Sequence, residues 1–157
     1  MPRVEEKLEA LGLQLPPQPS PVAAYVSTVR TGDLVFVSGH GPMRDGQFTD
    51  IGKLGRDLDI DAGYQAARLV MLNCLASVKA ETGDLDKITR IVKVLGMVNS
   101  APGFEQQPAV INGASDLLIE IFGDRGRHAR SAVGMAELPF GISVEIEMVV
   151  EVSDSTG

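Results

Sequence analysis

Cysteine is nearly absent from this chain, and Cys74 alone cannot close an internal disulfide, which excludes a disulfide-stapled fold. It falls within an apolar helical pattern, so a buried thiol in a reducing compartment is expected. With one cysteine and two distant histidines, His40 and His128, no recognisable metal-ligand spacing exists, and no metal or other cofactor is expected. Positive charge is scarce as well. A formal charge of -7 opposes general affinity for nucleic acid, whose phosphates need clustered Lys and Arg. No apolar run approaches the roughly 20 residues of a membrane span, and Glu5, Glu6, Lys7 and Glu9 interrupt the amino-terminal leucines where a signal peptide would be continuous. A cytoplasmic protein with a small-molecule partner is expected. Phosphate-cradling loops and a nucleophilic serine elbow are also missing, so any chemistry here should use water.

What the chain does contain is enough apolar material for one core. Val4 to Leu11 reads as a short helix stopped by Gly12, and Pro16, Pro17, Pro19 and Pro21 force an extended arm, so residues 1–20 precede a single domain over 21–153 and a frayed tail over 154–157. Tyr25 to Arg30 and Leu34 to Ser38 predict a hairpin across Thr31-Gly32-Asp33. Asp45-Gly46 predicts a further turn, with a short strand near Gln47 to Thr49. Ile60 to Thr82 has a wide apolar helical face, capped by Asp59 or Asp61 and closed by Gly83. Ile88 to Val98 is a long β-branched strand, Pro108 opens a second helix that Gly123 closes, and strands follow at Ala129 to Met135 and Ile142 to Val152. This order predicts an α+β fold, a mixed six-stranded sheet with two long helices packed on one face. The other face of such a sheet must meet solvent or another subunit, and its apolar final strands favour a subunit.

The closing third of the chain holds the residues suited to chemistry. Arg130 stands among small residues, where it either grips a planar carboxylate with two parallel hydrogen bonds or pairs structurally with a neighbour such as Glu137. Glu145 and Glu147 share one face of the last strand; either one is a partly buried acid or base, or both belong to a polar outer face. Ser38-Gly39-His40-Gly41-Pro42 allows close approach of backbone to a ligand, or simply serves turn geometry. Asn112-Gly113 is a costly pair inside a helix, explained by close packing or by a polar role for Asn112. His40 and His128 would make a metal-independent ribonuclease only if they met. The basic cluster Arg125, Arg127, His128 and Arg130 reads as a solvated loop.

Ala129-Arg130-Ser131, then Glu137-Leu138-Pro139 and Val144-Glu145-Ile146-Glu147, at this spacing and together with Val35-Phe36-Val37-Ser38-Gly39, resemble the RidA/YjgF family of reactive intermediate deaminases, formerly called L-PSP endoribonucleases. The resemblance runs from Tyr25 to Val152. It implies a chorismate mutase-like fold assembled as a homotrimer with ligand clefts between subunits, and hydrolysis of 2-imino or enamino acids to 2-oxo acids and ammonia without a cofactor. It assigns the carboxylate grip to Arg130 and the positioning of water to Glu145, leaving Glu147 as its neighbour. Tyr25, Gly39, His40, Asn112 and Ala132 match the positions that border the family's cleft. Two of these depart from the usual residue: Ala132 stands where cysteine is common and His40 where glutamine is common. Extra amino-terminal residues, and one more residue between Asn112 and Arg130, resemble a longer-chain branch. Two other functions stay open beside deamination: a trimer that binds a small carboxylate without turnover, and an endoribonuclease.

Overall fold

A computed structural model describes residues 3–18 and 23–155. Its elements are α1 (Val4–Ala10), β1 (Thr28–Thr31), β2 (Leu34–His40), β3 (Met43–Arg44), β4 (Gln47–Phe48), α2 (Ile60–Thr82), β5 (Ile88–Asn99), α3 (Gln107–Phe122), β6 (Ala129–Met135) and β7 (Val144–Val152). Five strands form one sheet in the order β1-β2-β7-β5-β6. Only β5 and β6 run parallel, as the intervening α3 permits, and the other pairs are antiparallel.

The expected sixth strand is not in this sheet. β4 pairs with β3 in a separate two-stranded ribbon. Pro42 has no N–H to give to a ladder, and Asp45 and Gly46 both take positive φ (51° and 78°), which turns the chain back within four residues. The first strand also begins at Thr28 instead of Tyr25, because β2 loses register between Val37 and His40, where Ser38 bonds the segment before Thr28: its Oγ donates to the Val26 carbonyl (2.6 Å) and its N–H to that of Ser27 (2.9 Å). Of the four prolines expected to shape the arm, Pro19 and Pro21 lie outside the described residues.

Alternation along β7 sorts the sheet into two faces. Val144, Ile146, Met148, Val150 and Val152 are buried, whereas Glu145 and Val149 are half-buried and Glu147 and Glu151 exposed. The buried set packs with Val35, Ile91, Val94 and Val98 against α2 and α3, so both long helices lie on one face. Asp59 caps α2 by accepting from the Ala62 N–H (2.8 Å), and Gly83 ends it at φ 82°. Cys74 is wholly buried, and burial pushes its thiol far above the usual range. Val4 and Leu8 of α1 join the same core, held there by Arg3 on Asp84 and Asp86 and by Lys79 on Glu5.

Where α3 crosses α2, a Cβ on Gly113 would strike the carbonyl oxygen of Tyr64, a backbone atom that cannot swing aside. Close packing therefore accounts for this glycine. Gly113→Ala should destabilise the fold by about 1–3 kcal/mol in urea denaturation, although alanine is the better helix former. An unchanged or raised midpoint would mean that the helices separate freely here.

Candidate active site

β6 carries Arg130 at the sheet's edge, in register with Val94 of β5, and so on the face covered by helices. Its Nη1 donates to Asn112 Oδ1 (2.8 Å) and Ser115 Oγ (3.2 Å), both on α3. Asn112 and Ser115 stand three residues apart, hence on one side of the helix. Among the described residues Arg130 forms no ion pair, so the alternative pairing with Glu137 is not made. Its positive charge is oriented by neutral groups and left without an internal counterion. Ala132, two residues along β6, projects from the same face.

Ser115 was not foreseen from the sequence, and it connects Arg130 to His128. The His128 Nδ1 must donate to the Gly126 carbonyl (2.6 Å), since a carbonyl only accepts. In the neutral ring Nε2 then accepts from the Ser115 hydroxyl (2.9 Å), whose oxygen accepts from Arg130. The one recognisable signal was the spacing of Ser115 from Asn112. Of the other arginines in the expected basic loop, Arg125 donates to the Ile88 carbonyl at the start of β5 (2.7 Å) and Arg127 pairs with Asp124 (3.5 Å).

A second group gathers on the opposite, helix-free face. Tyr25, Gly39 and Glu145 line a cleft of about 480 Å³, joined by Glu147, Phe48 and Phe140. Gly39 lets the Glu145 carboxylate lie directly against the backbone, since a Cβ there would push it aside. Burial, and secondly the charge of Glu147, push the Glu145 carboxyl above its usual range. The polar outer-face reading thus fits exposed Glu147, and the acid or base reading fits Glu145.

His40 does not border this cleft with its ring. It belongs to β2 rather than to a turn, and its side chain enters the helix layer, where Nδ1 donates to the Ser38 carbonyl (2.5 Å) and Nε2 accepts from Ser77 on α2 (2.8 Å). The irregular register between Val37 and His40 redirects it inward. Burial pushes its pKa down, partly offset by the Ser38 carbonyl. The unfolded chain therefore takes up a proton, below about pH 6.5, before the folded chain does, and folding stability should fall as pH drops through that window. Urea midpoints between pH 8 and 5 should show this decline for the wild type and a smaller one for His40→Gln. Equal declines would exclude His40 as the cause.

Thus one chain holds Arg130 with Asn112, Ser115 and Ala132, and separately Glu145 with Tyr25 and Gly39. β5 lies between β6 and β7, a separation of roughly 10 Å across the sheet, and the two groups face opposite ways. The histidines lie apart too, since β2 and the start of β6 have two strands between them. Among the described residues no cluster of three His, Cys, Asp or Glu is placed to hold a metal ion, and no helix is long and apolar enough to cross a membrane.

Residues 5–151 match the model of a family described as YjgF/chorismate mutase-like, putative endoribonuclease. Protein TCP17 of Trypanosoma cruzi is 44% identical over 153 residues, 97% of this chain and 96% of that protein. The crystal structure of Atu1372 from Agrobacterium tumefaciens, a protein described as of unknown function, is 47% identical with a TM-score of 0.90, covering 96% of this chain and 92% of that one. A more distant structure, E. coli TdcF with bound serine, is 25% identical with a TM-score of 0.61, covering 87% and 94% of the two chains. Match length and fold agree, and the chain belongs to the YjgF/chorismate mutase-like family.

Proposed function

We propose that this protein hydrolyses 2-imino or enamino acids to 2-oxo acids and ammonia, in clefts formed between copies of the chain in a homotrimer. The observation that carries this reading is Arg130: a guanidinium oriented by Asn112 and Ser115, with no carboxylate of its own among the described residues. Such a group suits the carboxylate of a small acid. Because Glu145 faces the other way in the same chain, a site using both takes Arg130 from one copy and Glu145 from the next. The helix-free face, where Val29, Phe36 and Val133 are exposed, supplies apolar surface for that assembly.

The chemistry then needs only positioned water. As its oxygen bonds to the imine carbon, water gives a proton to the Glu145 carboxylate, which passes it to the nitrogen. Transfer of the hydroxyl proton to the amino group, again by way of Glu145, breaks the C–N bond and releases ammonia as the carbonyl forms. A carboxyl with a raised pKa suits both halves of this exchange. Ammonia release from enzymatically generated 2-iminobutyrate should be faster with the protein than in buffer. No acceleration, with 2-oxo acids still bound in calorimetry, would favour a binding protein without turnover. The serine bound to TdcF, an amino acid and not an imine, gives that second reading its footing. The endoribonuclease named in the family's description has weaker support here, given the net charge of -7 and the separation of His40 from His128.

A further inference from the structure

Two phenylalanines line the same cleft as Glu145. Phe48 and Phe140 stack with centroids 5.3 Å apart and planes inclined by 26°. Phe140 is 66% exposed, more than any other large hydrophobic side chain among the described residues. Its backbone sits at φ 60° and ψ 13°, in the left-handed region that bulky residues avoid, within the turn Pro139–Gly141. A strained, exposed aromatic held over a cleft points to a ligand contact more than to folding. Phe48 is brought close by Gly41, whose missing side chain leaves room for its ring and for Ile142.

Charge in the cleft points the same way. Glu145 and Glu147 are both carboxylates, and among the described residues no Lys, Arg or His lines it. A second carboxylate on the substrate would be repelled, while an apolar side chain would cover the ring faces. Resting on the deaminase reading above, we infer that the cleft selects 2-imino acids with a large apolar side chain, aromatic above all, and disfavours acidic ones. Substrate then lies with its carboxylate on Arg130 of one copy, its imine carbon at Glu145 of the next, and its side chain against Phe48 and Phe140.

The test compares imines generated in place by amino-acid oxidases from phenylalanine, leucine, 2-aminobutyrate and aspartate. The kcat/KM for the phenyl imine should exceed that for 2-iminobutyrate by about tenfold or more, and that for 2-iminosuccinate by a larger factor. Phe140→Ala and Phe48→Ala should bring the phenyl-to-ethyl ratio close to one, and Phe140→Leu should restore part of it. Equal wild-type rates, or variants that slow every imine alike, would overturn the inference. So would loss of activity together with dissociation of the assembly, which would make Phe140 a subunit contact. If no imine is accelerated, the deaminase reading fails by itself, and selectivity is read by calorimetry with phenylpyruvate, 2-oxobutyrate and oxaloacetate. A preference for phenylpyruvate that Phe140→Ala abolishes sustains the inference, and no preference ends it.

Discussion

Arg130→Ala is expected to lower kcat/KM on 2-imino acids by about 100- to 1000-fold, the loss of two charge-assisted hydrogen bonds to the substrate carboxylate. Much of this should appear in KM, because the carboxylate is present in ground and transition states alike. Arg130→Lys should recover little, since an ammonium cannot present the planar fork. Ser115→Ala should act in the same direction but only by about 3- to 10-fold, because it releases one of the two contacts that orient the guanidinium. Steady-state kinetics on folded, assembled variants provide the measurement. Wild-type kinetics for Arg130→Ala would remove the arginine from the site.

Glu145→Gln should instead lower kcat, by about 100- to 10,000-fold, with KM little changed, since the amide neither accepts nor delivers a proton. Water activation needs the ionised carboxylate. In the wild type kcat/KM should therefore rise with pH through the raised pKa of Glu145 and level above it. The same limb should vanish in the residual activity of the variant. Folding stability moves the other way: a carboxyl that keeps its proton longer when folded disfavours the fold as pH climbs through that window, so the variant should lose this part of the pH dependence. A pH–rate profile for Glu145→Gln with the wild-type limb intact would assign the proton transfers to another group.

Much of the architecture was legible because each signal was local. α2 runs from Ile60 to Thr82 as its periodicity and the Asp59 cap require, β6 covers the expected Ala129–Met135, and β7 follows its alternation from Val144. The sixth strand was misjudged in its pairing: Gln47–Phe48 has strand-like residues, but Pro42 and the turn at Asp45-Gly46 direct it to β3 instead of the sheet. Within the candidate site, Arg130, Asn112 and Glu145 were singled out by the resemblance of their motifs, and the structure joins Asn112 to Arg130 while Glu145 lines the cleft on the other face. His40 was placed on the wrong side because a register shift in β2 cannot be read from Ser38-Gly39-His40. Ser115 and Phe140 were missed for a related reason, since their significance lies in contacts to Arg130 and Phe48, which are distant in sequence.

In the proposed site Arg130 and Glu145 act together from different copies of the chain. Mixing the two inactive variants, Arg130→Ala and Glu145→Gln, under conditions that exchange subunits tests it most directly. An intact site then forms wherever a Glu145→Gln copy supplies its arginine to an Arg130→Ala copy that supplies its glutamate. Random assembly from equal amounts should restore about a quarter of wild-type activity. If the mixture stays as inactive as its parents after subunit exchange has been shown by mass, the two residues do not build one site between copies.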